Sequence, residues 1–248
     1  MSFVKQNVNK APIEDTVFAI VKKAKEAKAA IGAERVVDAT IGSLYNEEGT
    51  IVAFDSVFTP YNDIAKETKA AYAASFVGND SFRKQVYEWI VGGTGSTLAH
   101  SVIATPGGTG AVAITMQEIL DEGETVILPE IAWGSYKLMA TMDNLKVKTY
   151  SLFEEDHFNV ESLKEACREV MKTQKKLLLV INDPCHNPTG YSMRMEEWQE
   201  VVALLNECGK EVPVVLLNDI AYIDFSYDLE HCRNYMKTFN AFSENVMA

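Results

Sequence analysis

The chain has 248 residues with 35 Asp+Glu against 23 Lys+Arg, a formal net charge of −12. Hydrophobic residues make up 47% and charged residues 23%, a composition that can bury a core and excludes extensive disorder. The acidic balance opposes a nucleic-acid or anionic-membrane partner, so an anionic ligand would need a local positive site.

The N-terminal stretch is polar and carries no apolar segment of a secretory signal. The longest apolar runs, Leu177–Ile181 and Val212–Leu217, are too short to span a bilayer. Cys167, Cys185, Cys208 and Cys232 are scattered without a CxxC pair, which predicts reduced thiols and a cytoplasmic protein. Cys185–His186 has no second ligand pair at zinc spacing, so no metal is expected.

In chain order, a polar arm precedes a helix that opens near Asp15 or Thr16 and stops at Gly32, with Val17, Ile20, Val21, Ala24 and Ala27 at helical period. Residues Val36 to Ala53 are irregular around a turn at Asn46–Gly49. Helices are predicted over Tyr61–Ala74 and from Asp80 to Gly92. Strands and helices then alternate. Strands are expected at His100–Thr105, Thr125–Leu128, Lys146–Tyr150, Lys176–Asn182 and Val212–Asn218. Helices are expected at Ala111–Leu120, Ser135–Met142, Glu161–Met171, Met195–Cys208 and Asp228–Asn240. This alternation implies right-handed crossovers and an α/β fold: three α/β/α layers around a mainly parallel sheet.

Ligands of open α/β sheets gather at the carboxyl ends of the strands, and three unusual segments fall there. Gly107-Gly108-Thr109-Gly110 lets backbone approach an anion at a helix start, although glycine at a tight turn explains it equally. Asn182-Asp183-Pro184-Cys185-His186-Asn187-Pro188-Thr189-Gly190 is a rigid polar turn that suits an amide aimed at a ligand, or an Asx turn. Asp219, in Asn218-Asp219-Ile220-Ala221-Tyr222, stands at the rim of a buried strand and needs a partner. A helix cap, a basic side chain or a cationic heterocycle would each serve, with Tyr222 within reach of the same ligand. Trp133 either stacks on a planar ligand or packs in the core.

Taken in order, GGTGA, Trp-Gly, HNPTG and DxAY resemble the class I/II aminotransferases of the aspartate aminotransferase-like, pyridoxal 5′-phosphate-dependent fold type I, from about Ala39 to the end. The resemblance implies a cofactor-binding large domain over 54–248, with the N-terminal arm and part of the small domain over 1–53. It implies that Gly108 and Thr109 bind the cofactor phosphate, that Trp133 and Ala221 take the two faces of the ring, and that Asp219 pairs with the ring nitrogen. Asn187 and Tyr222 would hold the ring 3′-oxygen, Gly42 and Asn187 would face the substrate, and Tyr72 would reach the partner subunit's phosphate in a homodimer. The substrates implied are an amino acid and a 2-oxo acid.

Three features depart from the family. Tyr136 stands where aspartate-specific members tend to carry histidine, and the spacing from Tyr72 to Gly78 is one residue longer than usual. The Schiff-base lysine is expected after DxAY in a Ser-x-Ser-Lys-like segment, and none stands in that context before Ala248. The chain is therefore expected to behave as an N-terminal fragment, inactive alone, with His100–Thr105 left at open sheet edges. A co-folding piece, a rearranged sheet or a swapped dimer would each complete it. The alternatives are a lyase of the same fold or a non-catalytic cofactor-binding or interaction protein.

Overall fold

A computed structural model describes Phe3, Val8, residues 16–40 and residues 42–248. Asp15, Ile41 and most of the polar arm lie outside the described residues. The chain separates into two compact units, Lys10–Ala73 and the remainder.

In the first unit, α1 spans Thr16–Ile31 and ends at Gly32, whose φ of 96° favours glycine. The Asn46–Gly49 turn forms as expected. Gly49 N donates to Asn46 O at 3.0 Å, and Tyr45 and Ile51 face each other in an antiparallel bridge. The single helix predicted over Tyr61–Ala74 is instead two, α2 at Asp55–Asp63 and α3 at Lys66–Ala70. The break falls at Ile64, which turns extended while its N–H bonds Tyr61 O. No described residue of this unit is buried, so no packing holds a longer helix together.

The second unit carries α4 (Asp80–Val91), α5 (Gly107–Ile119), β1 (Thr125–Pro129), α6 (Ser135–Met142) and β2 (Lys146–Tyr150). Then follow β3 (Phe153–Glu154), β4 (His157–Phe158), α7 (Val160–Met171), β5 (Leu177–Asn182), α8 (Met195–Gly209), β6 (Val214–Asp219) and β7 (Val246–Met247). The sheet runs β2-β1-β5-β6-β7, every pair parallel. β5 at its centre is buried along its whole length, as a parallel strand covered on both faces must be. Its side chains alternate between the faces. Leu177, Leu179 and Ile181 pack with Leu163, Trp198 and Leu205, and Leu178 and Val180 pack with Val112, Met116 and Tyr136. The three-layer α/β architecture expected from the sequence is therefore present.

Two predicted elements are corrected. Residues 100–105 form no strand, because no strand lies beside them to share backbone hydrogen bonds. Ala104 N instead donates to Val77 O at 2.9 Å, and Ile103 is 61% exposed. The helix expected over Asp228–Asn240 is a run of turns and then a 3-10 helix at Asn234–Ala241. Asp228 captures both His231 N, through Oδ1, and Cys232 N, through its carbonyl. The β3–β4 hairpin was not foreseen, since two-residue strands leave no periodic signal. Among the described residues no helix is long and apolar enough to cross a membrane, and all four cysteines are free.

A buried carboxylate ties the hairpin to α8. Glu197 accepts from Phe158 N at 2.9 Å, Tyr191 Oη at 2.6 Å and Arg194 N at 2.6 Å. At α7, Asn159 caps the helix by accepting from Ser162 N at 2.8 Å. Asn159→Ala is expected to cost about 1 kcal/mol, read as a lower midpoint in urea at unchanged m-value.

Candidate functional site

The site is built where β5 and β6 end side by side, with Asn182 opposite Asp219. Beyond β5 the chain enters the turn 182–191, in which the Asp183–Pro184 and Asn187–Pro188 peptide bonds are cis. Asn182 fastens this turn to β6. Its Nδ2 donates to the Asp219 carbonyl at 2.8 Å, while its Oδ1 accepts from Asn187 N at 2.7 Å. Asn218 makes a second tie from β6, donating to the Asp183 carbonyl at 2.9 Å. The turn closes on itself through Gly190 N to His186 O at 2.6 Å.

Below the turn, Asp183 is buried and accepts from Met193 N at 2.6 Å and the Trp198 indole at 2.9 Å. Burial pushes its carboxyl up to about 7 against the pull of those two donors. His186, three residues on, is also buried, with Nδ1 2.9 Å from Thr189 Oγ1. Burial holds the imidazole below its ordinary value, with a smaller opposing pull from the Ile131 backbone.

Asn187 and Tyr222 converge from different segments: Asn187 Nδ2 donates to Tyr222 Oη at 3.3 Å. Asp219 is half-buried at the end of β6. Its Oδ1 accepts from Ala221 N at 3.0 Å, and its Oδ2 accepts from the Tyr136 hydroxyl. Trp133, half-buried in the loop after β1, meets the Tyr136 ring edge to face at 5.5 Å and 85°. Ala221 is exposed between Asp219 and Tyr222.

Gly107, Gly108, Thr109 and Gly110 form the first turn of α5, four residues earlier than the predicted helix start. No side chain caps this turn and no acidic residue stands in it; Gly107 N donates to the Thr105 carbonyl at 2.7 Å, which leaves the turn's later N–H groups and its positive dipole end to face a ligand. Gly107 has φ 69°, and a Cβ on Gly110 would lie 2.8 Å from Pro106 Cδ, so these two glycines serve the turn itself. Gly108 and Thr109 are exposed. α5 packs on α6 and β6, the elements that carry Tyr136 and Asp219.

An uncapped helix start for a phosphate, a carboxylate for a cationic nitrogen, an amide–phenol pair and an adjacent indole form a donor set that fits a phosphorylated, cationic aromatic ring. Gly42 and Tyr72 belong to the Lys10–Ala73 unit, where both are exposed. Asn182 and the Tyr136–Asp219 bond were missed from the sequence. The available signal was Tyr136 three residues after Trp133, on the same side of a helix start. Among the described residues no group of three or more His, Cys, Asp or Glu could hold a metal ion.

The family model for aminotransferase class I and II matches residues 34–243. The chain belongs to this family. Its members are pyridoxal-phosphate-dependent transferases. Aspartate aminotransferase of Bacillus subtilis (strain 168) is 30% identical over 228 residues, 86% of this chain and 50% of that protein. A solved aminotransferase from Anaerococcus prevotii is 32% identical with a TM-score of 0.91, covering 99% of this chain and 61% of that one. An aromatic-amino-acid aminotransferase from Burkholderia pseudomallei, covalently bound to pyridoxal phosphate, shares the fold at 21% identity and a TM-score of 0.70, covering 99% of this chain and 60% of that one. The chain spans about half the length of the curated relatives it matches.

Proposed function

We propose that this chain supplies the cofactor-holding part of an aspartate- or aromatic-type aminotransferase, which moves an amino group from an amino acid to a 2-oxo acid. The observation that carries the reading is the convergence of Asp219, Asn187 and Tyr222 at the carboxyl ends of β5 and β6, inside a chain of this family. Pyridoxal 5′-phosphate, when bound, supplies an electron sink that stabilises negative charge at the amino acid's α-carbon.

Gly108 and Thr109 bind the phosphate with the N–H groups of the first turn of α5. Asp219 holds a positive charge on the ring nitrogen, with Trp133 and Ala221 on the two ring faces. Asn187 and Tyr222 donate to the ring 3′-oxygen, and Asn187 also faces the substrate. Tyr72 reaches the phosphate of a second subunit in a homodimer. Residues 54–248 act as the cofactor domain, with 1–53 as arm and partial small domain, and the free thiols suit a reducing cytoplasm.

By resemblance to the family, the proton acceptor at the α-carbon is a lysine amine, which must be neutral to accept the proton. Lys237 is the one lysine after Asp219 in the sequence, and it lines a groove with Gln199, Asn206 and Asn240 on the outer side of α8. This chain alone is therefore expected to bind cofactor without turnover. Titration of the full chain with pyridoxamine 5′-phosphate, followed by tryptophan fluorescence with Trp133→Phe as control, tests the reading. Saturable binding that Asn187→Ala weakens about tenfold is the expected result. Absence of saturable binding by the unaltered chain would overturn it.

A further inference from the structure

Tyr136 is 1% exposed, yet its hydroxyl is the one side-chain donor recorded on the Asp219 carboxylate among the described residues. The bond joins the first turn of α6 to the end of β6, 83 residues apart in sequence. The same ring supports Trp133 edge to face. On the other side, Asp219 Oδ1 is held by Ala221 N and the Asp219 carbonyl by Asn182 Nδ2 and Asp183 N. Each carboxylate oxygen thus has one fixed donor, and removal of the phenol would free one of the two.

We infer that Tyr136 is a positioning residue of the cofactor site: its hydroxyl sets the direction of the Asp219 carboxylate, and its ring sets the tilt of the Trp133 indole. This rests on the function proposed above. The phenol can do so at any pH the fold tolerates, because burial first, and then the neighbouring Asp219 charge, push its pKa well above the ordinary range. It remains a donor where an imidazole in its place would change charge near neutrality.

A double-mutant cycle with pyridoxamine 5′-phosphate tests the inference. Tyr136→Phe keeps the ring and its contact with Trp133 and removes only the hydroxyl. It is expected to weaken binding about threefold to tenfold in the native chain, and by less than about 1.5-fold in an Asp219→Asn chain. Equal losses in the two backgrounds would mean that Tyr136 acts by packing alone, and would overturn the inference. A second reading needs no Tyr136 variant. The 13Cζ resonance of Tyr136 in the labelled native chain should shift when the ligand is added and lose that response in Asp219→Asn. A resonance indifferent to ligand in the native chain would also overturn it. If the native chain binds no ligand, the proposed function fails and takes the inference with it. Binding without coupling removes the inference alone.

Discussion

Asp219→Asn is expected to lower the affinity for pyridoxamine 5′-phosphate by about 10-fold to 150-fold, the value of a hydrogen bond to a charged group. The substitution keeps nearly the same volume and one side-chain oxygen, which can still accept from either Tyr136 or Ala221 N. What disappears is the negative charge at the end of β6. A pyridine nitrogen beside a neutral amide loses the partner that keeps it protonated, and the ligand then binds mainly through its phosphate. The affinity for inorganic phosphate should therefore stay within about twofold of the native value, since the phosphate site proposed at the start of α5 does not use Asp219. Isothermal titration with both ligands separates the two ends of the site. Parallel loss of both affinities would indicate a misfolded variant, and loss of neither would remove Asp219 from the site.

The second large effect concerns stability and its dependence on pH. Asp183 has an ordinary carboxyl value near 3.8 when unfolded and about 7 in the fold, because burial disfavours its charge. A group with a raised folded value contributes stability that is fully present below about pH 3.8 and is lost as pH rises through about 7. The span corresponds to about 4 kcal/mol, at about 1.4 kcal/mol per unit. Asp183→Asn removes the titration while leaving an oxygen for either Met193 N or the Trp198 indole. The stability of the native chain minus that of the variant should fall between pH 4 and 7 and level off above it, measured by urea unfolding. His186, whose value is lowered by burial, acts with the opposite sign: its contribution is present above about pH 6.5 and is lost as pH falls. It is common to both proteins and cancels in the difference. A flat difference curve would show that the carboxylate carries no cost of burial.

The sheet leaves β7 as an outer strand of two residues, and residues 100–105 run unpaired. These residues have the composition of a strand and still fail to become one. Apolar, β-branched side chains favour an extended backbone, but a strand also needs a neighbour to accept its hydrogen bonds, and that is not a local property.

Much of the protein could be read directly from the chain. The unbroken apolar run of β5 identified a buried strand, and helical spacing located α6 and α8 to within a residue. Glycines and prolines at 106–110 and 184–190 marked the start of α5 and the turn beyond β5, because those residue types are chosen by local backbone geometry. The same locality explains why Asp219, Asn187 and Trp133 are recognisable in the sequence as one group beyond strand ends. Their connections are not. That Asn182 bridges Asp219 and Asn187, or that Tyr136 bonds Asp219 across 83 residues, depends on the parallel register of β5 and β6 and on how α6 lies over the sheet. Residue order and periodicity decided which groups reach the carboxyl ends of the strands; only packing between distant elements decided which of them touch, because each such contact is set by the summed fit of many buried side chains.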